Sequence, residues 1–259
     1  MTLASKIIIT IISIITVLAI LAGVFLHVVR GFSFGRGVVK TAEGTIELEG
    51  SLSEIILDAD HSEITVKTGS EFSVSYCVPE ALEPKVELKN GTLTVNSHST
   101  GSLNLVSLGN VHYDNYITII IPEDSELARV SVDVDAGEIN LNNLDVSKLQ
   151  LTADAGNIQM DSITSNRMEI DVDAGNIEIR DSSADTMEID ADAGNVELFD
   201  STIGTLTADV DAGNIESHDC TIESGRCDAD LGNINLRGDI GDVSTHTSLG
   251  NASTDKKSA

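Results

Sequence analysis

One phrase is written six times into this chain: "DVDAGEINL" from 133, "TADAGNIQM" from 152, "DVDAGNIEI" from 171, "DADAGNVEL" from 190, "DVDAGNIES" from 209 and "DADLGNINL" from 228. Its glycines, with one more at the end, are Gly137, Gly156, Gly175, Gly194, Gly213, Gly232 and Gly250, spaced 19, 19, 19, 19, 19 and 18 residues apart. Self-similarity at a fixed period of this size is the signature of stacked coils, in which each unit buries its apolar face only against its neighbours.

Within a repeat the apolar residues alternate in two blocks. Ile177 and Ile179 follow Gly175, and then come Met187, Ile189, Ala191 and Ala193; after Gly156 the same offsets hold Ile158, Met160, Met168, Ile170, Val172 and Ala174. Period-two alternation makes these blocks strands, and clusters such as "DSITSNR" and "RDSSADT" separate them as polar corners. Stacking equivalent strands at about 4.8 Å per coil places Ile on Ile inside and pairs each backbone with the next. The expected fold is all-β: a β-solenoid, like a parallel β-helix, of stacked 19-residue coils over 132–253. The recurring glycine reads as a corner residue at which a positive φ is tolerated.

Residues 45–131 carry strand-like runs such as "SEIILDAD", "SEITVKTG" and "NYITIIIPE", with Asn90-Gly91 as a hairpin turn. They read as an irregular β cap or early coils covering the first edge of the stack. The polar tail 254–259 should fray.

The other strong pattern lies at the N-terminus. Residues 7–29 hold no acidic or basic side chain apart from His27, and at about 1.5 Å per residue they span roughly 35 Å, enough to cross a bilayer. Residues 1–30 are therefore expected to form a single transmembrane anchor, followed by a glycine-rich linker over 31–44. Lys6 before the anchor and Arg30, Arg36 and Lys40 after it point the C-terminal domain inward by the positive-inside rule. Long domains translocate largely regardless of charge, and a long acidic repeat domain behind one helix is expected outside a bacterial cell.

Charge narrows the partners. With 15 basic and 42 acidic residues, a net of −27, the chain repels nucleic acid and anionic surfaces and favours cationic partners. Five phenylalanines, three tyrosines and no tryptophan leave little for a glycan groove to stack on. No small-molecule substrate and no catalytic constellation is evident: the histidines lack ligand spacing, and there is no nucleophile elbow, C-x-x-C or phosphate loop. The phrase is neither a dinucleotide turn nor an EF-hand loop, since it lacks both G-x-G-x-x-G and the closing glutamate. Cys220 and Cys227 stand seven and fourteen residues after Gly213, offsets held by Ile163 and Ile170 after Gly156. Both should point inward, either as buried hydrophobes or as a disulfide.

Aspartate recurs two places before the glycine (135, 154, 173, 192, 211, 230) and four places before it (133, 171, 190, 209, 228). Stacked, these make two carboxylate columns. They are a solvated face or a weak calcium site built from Asp171, Asp173, Asp190, Asp192, Asp209 and Asp211. No other cofactor is expected.

The order of parts resembles a bacterial family of membrane-anchored β-strand repeat proteins, labelled candidate adhesins or domains of unknown function. The N-terminal helix, "SEIILDADHSEITV", "YITIIIPED" and the recurring G-[ND]-[IV]-x-[IVL] unit carry the likeness, over about 45–255. The resemblance implies an extracytoplasmic solenoid and reports fold more than activity. Together these readings lead to the expectation of a non-catalytic, membrane-anchored surface or envelope interaction module, adhesin-like. The alternatives are a membrane-tethered regulator of envelope-stress signalling and a β-helix enzyme acting on polysaccharide.

Overall fold

A computed structural model describes residues 40–99 and 115–256 of the chain. The anchor at 7–29 and residues 31–39 of the expected linker lie outside the described residues; no described helix is long and apolar enough to cross a membrane. Period-two alternation becomes strand throughout. The early strands are β1 (Thr41–Glu47), β2 (Glu54–His61), β3 (Glu63–Gly69), β4 (Ser73–Pro79), β5 (Lys85–Lys89), β6 (Thr92–Ser97), β7 (Tyr116–Pro122) and β8 (Leu127–Ala136). The repeats form β9 (Ile139–Ala155), β10 (Ile158–Ala174), β11 (Ile177–Arg180), β12 (Ser183–Ala193), β13 (Val196–Phe199) and β14 (Thr202–Ala212). The last are β15 (Ile215–Leu231), β16 (Ile234–Leu249) and β17 (Ala252–Lys256). β1 thus starts inside the segment read as linker.

Each coil is one turn of parallel strand pairing with its neighbour 19 residues away: Ile158 lies against Ile139 and Ile177, and Met168 against Leu149 and Met187. A broad face runs β5, β6, β2, β8, then the second halves of β9 and β10, β12, β14 and the second halves of β15 and β16. A narrower face runs β1, β4, β7, β3, the starts of β9 and β10, β11, β13, the starts of β15 and β16, and β17. Both faces begin with antiparallel strands and continue in parallel. The early region is accordingly two further coils capped by β1, β4 and β5. In space β6 lies outside β2, because β2 pairs with both β6 and β8.

Inward residues stack into one core: Ile158, Ile177, Val196 and Ile215 are all fully buried in a single column. Ile170, Met187 and Ile189 are buried as the alternation requires. The offset seven after the glycine is buried in each of five coils, as Leu144, Ile163, Ser182, Ser201 and Cys220. The serines there satisfy themselves: Ser182 Oγ donates to the Arg180 carbonyl and accepts from the Ile163 amide.

At the corners the structure differs from the expectation. The left-handed residues are not mainly the repeat glycines but Asn143, Ser162, Asp181, Asp200 and Asp219, six places later, with φ between 47° and 59°. Asn and Asp tolerate this region because their short side chains bond locally. The repeat glycine answers a different demand, close approach. A Cβ on Gly175 would sit 1.7 Å from the carbonyl oxygen of Gly156, and one on Gly194 would sit 1.6 Å from that of Gly175. Beside the glycines an asparagine ladder climbs the corner. Asn157 Oδ1 accepts from the Asn176 amide at 2.9 Å, and the contact repeats through Asn195, Asn214 and Asn233 to Asn251. The 18-residue spacing before Gly250 is a corner shortened by one residue, where the register shifts between Ser217 and Cys220 and Gly238 (φ 140°) makes the turn.

Candidate interaction faces

The broad face carries the aspartate columns. Asp171, Asp190 and Asp209 lie side by side in register, continued by Asp228, and then His246 ends the row. Towards the N-terminus the same row passes Thr152 and Asp133 to Asp58. All six candidate aspartates, 171, 173, 190, 192, 209 and 211, are exposed. Partial burial, followed by Asp171, Asp192 and Asp211, pushes the Asp190 carboxyl above the ordinary carboxylate range. Burial followed by Asp228 and Asp190 does the same to Asp209. The columns therefore hold charge that resists being there. Among the described residues, no group of three or more His, Cys, Asp or Glu side chains is arranged to hold a metal ion. The geometry offers paired carboxylates and no cage.

Next to the columns lies a mixed-charge patch that the repeat pattern does not announce. Arg129, Lys148 and Arg167 stack on β8, β9 and β10. Glu169 gathers two of them, with Arg167 Nε at 2.5 Å and Lys148 Nζ at 3.0 Å. Arg167, then Lys148, hold the Glu169 carboxyl down at about 2. Arg167 also reaches Glu188 at 2.9 Å, and an open polar groove of about 390 Å³ runs between these side chains, Asp171 and Asp190. Every charge in the patch has a partner within the molecule, so it stiffens the face more than it offers a ligand.

At the N-terminal end of the columns stands His98, read from the sequence as one of several scattered histidines. Its Nε2 lies 2.8 Å from Asp58 Oδ2 and its Nδ1 bonds Asp60, while the Ser99 amide donates to Asp60 Oδ2 at 2.8 Å. Asp60 and then Asp58 raise the imidazole to about 9, so it is a standing cation clamping the first coils. Nothing in local sequence flags it, because its partners are about 40 positions away.

Cys220 and Cys227 are buried and free. Burial, with the nearby Asp228, pushes the Cys227 thiol up to about 12, and burial raises Cys220 too. Both are protonated packing residues at neutral pH and poor nucleophiles.

On the narrow face the outward row five places after the glycine carries Arg180, Phe199 and His218 in register. The Arg180 guanidinium lies 3.9 Å over the Phe199 ring, and the His218 ring stacks on it at 5.0 Å and 9°. Phe199 is the single aromatic residue after 131.

Fold and surface together define a capped β-solenoid with rigid charged faces. The chain belongs to the Toastrack DUF4097 family, whose pattern it matches over residues 52–256. No curated protein matches it. Among solved structures it is similar to a candidate adhesin from Bacteroides fragilis, at 17% identity and a TM-score of 0.60, covering 83% of this chain and 97% of that one. A candidate adhesin from Parabacteroides distasonis matches at 17% identity and a TM-score of 0.49, covering 83% and 98%. A candidate lipid-binding protein from the same species gives 17% and 0.49, covering 86% and 98%. At these identities the likeness is one of fold, and the two scores below 0.5 carry no argument.

Proposed function

We propose that the chain is a non-catalytic interaction module, held to a bacterial membrane through residues 7–29 and presenting its acidic faces outside the cell to a cationic partner. The single observation that carries this is the in-register row Asp171, Asp190, Asp209 and Asp228 on an exposed sheet, with two of its carboxyls raised by partial burial and then by the neighbouring carboxylates. Folding alone gains nothing from such a row, since neighbouring like charges repel by about 1 kcal/mol per pair in water. A partner bringing positive charge offsets that cost. The adhesin description of the Bacteroides fragilis neighbour is consistent with a surface role.

A second reading, a membrane-tethered regulator on the cytoplasmic side, draws on Arg30, Arg36 and Lys40 after the apolar run against Lys6 alone before it. Protease added to intact cells separates the two. Loss of the solenoid with the membrane still sealed is the expected result; full protection would leave the regulator and sink the surface module.

Weak calcium bridging between Asp171, Asp190 and Asp209, and between Asp173, Asp192 and Asp211, belongs to the same proposal, with water completing the shell at about 2.4 Å. Millimolar calcium is then expected to raise the melting temperature by a few degrees beyond sodium chloride of equal ionic strength. Equal gains would reduce the effect to screening.

A further inference from the structure

On the narrow face two coils pair a carboxylate with a basic side chain, and the coil between them does not. In those two coils a carboxylate and then a basic side chain stand three and five places after the repeat glycine: Glu178 bonds Arg180 at 2.7 Å, and Glu216 lies 3.5 Å from His218. In the coil between them the pair is Glu197 and Phe199. These rows are in register, Glu178 beside Glu197 beside Glu216, and Arg180 beside Phe199 beside His218. Phe199 cannot neutralise its neighbour. Among the described residues, Glu197 has no hydrogen-bond or ion-pair partner; it acts only from a distance on Arg180, whose own partner is Glu178.

The surroundings state what would fit. Both faces of the Phe199 ring are covered, by Arg180 and by His218, so only its edge meets solvent, and it is half-buried. On the other side of this row runs the corner column Asp181, Asp200 and Asp219. A half-exposed ring edge between two carboxylate rows suits a side chain with an apolar stem and a positive tip, as lysine and arginine have. A bare inorganic cation would gain nothing from the ring, and an anion would be repelled.

We propose that Glu197 and Phe199 form a docking point for a lysine or arginine side chain of a protein partner, the carboxylate taking the charge and the ring edge the aliphatic stem. This rests on the interaction-module reading and places one of its contacts on the narrow face, away from the aspartate columns. Arg180 and His218 hold the ring in place, so the site is preorganised and loses little side-chain entropy on binding.

Tetralysine titrated into the full-length chain tests it. Because the chain has no tryptophan, Phe199→Trp supplies a single tryptophan at the site, which can be excited apart from the three tyrosines. Its emission is expected to change saturably with tetralysine and not with tetraglutamate. Calorimetry on the chain with Phe199 intact is the second measurement, in case the larger ring disturbs the stack. There Glu197→Gln is expected to weaken tetralysine about threefold to fivefold, as for a lost charge contact at a partly exposed site. If Glu197→Gln binds as tightly as the parent while Asp190→Asn with Asp209→Asn abolishes binding, the docking point is overturned and the module reading stands. If the unaltered chain takes up no tetralysine at all, both are overturned.

Discussion

Ile177→Asp is expected to cost about 3 to 5 kcal/mol, because it places an unpaired carboxylate inside a stacked coil. Ile177 is fully buried, with Ile158 beside it on one side and Val196 on the other. Water cannot reach the new charge, and no basic side chain points inward in the repeats to meet it. The loss is a large fraction of the roughly 5 to 15 kcal/mol that holds a typical domain folded. In a solenoid it falls on the nearest-neighbour interfaces that hold the stack together. Thermal unfolding by circular dichroism checks this. Glu178→Ala, one residue away on the outward side, should shift the melting temperature by no more than a degree or two. An Ile177→Asp chain that melts where the parent does would show that the inward register is wrong.

Gly194→Ala should be nearly as damaging, although it adds one methyl group at a corner. The new Cβ would lie 1.6 Å from the Gly175 carbonyl oxygen and 2.6 Å from its carbon. Those atoms are backbone, so no rotamer change relieves the clash; the two coils must separate locally, breaking the bond from the Gly175 amide to the Ala193 carbonyl that joins them. Overpacking of this kind costs roughly 1 to 3 kcal/mol where side chains can give, and more where they cannot. Ala193→Ser is the control, since Ala193 is exposed. A Gly194→Ala chain as stable as Ala193→Ser would mean that the corner is more open than the stacked glycines describe.

These two effects differ in how far they could be read in advance. The burial of Ile177 follows from alternation alone. The glycine was readable as a corner residue, but its reason was not. A glycine before asparagine suggests a left-handed turn, whereas close approach to another backbone depends on the height of a coil, which becomes visible only once two coils are stacked. The left-handed residues Asp181, Asp200 and Asp219 could have been suspected from polar residues recurring six places after each glycine. The asparagine ladder carried a signal too, in the asparagine that follows all but the first marker glycine.

What the amino-acid sequence determined by itself is whatever repeats with the period: the coil, its inward set, the burial of Cys220 and Cys227, and the stacking of Asp171, Asp190 and Asp209. In a solenoid the spatial neighbour is always one period away, so contacts that are long-range in space are local in the pattern, and hydrophobic alternation sets their register without further information. Tertiary structure alone decided what lies off the period. That β2 fits between β6 and β8, that His98 reaches back to Asp58 and Asp60, and that Glu169 collects Lys148 and Arg167 all depend on which strand edge lies next to which. The solitude of Glu197 is of the same kind. An unpaired charge is defined by every neighbour that fails to reach it, and those neighbours are known only when the chain has folded.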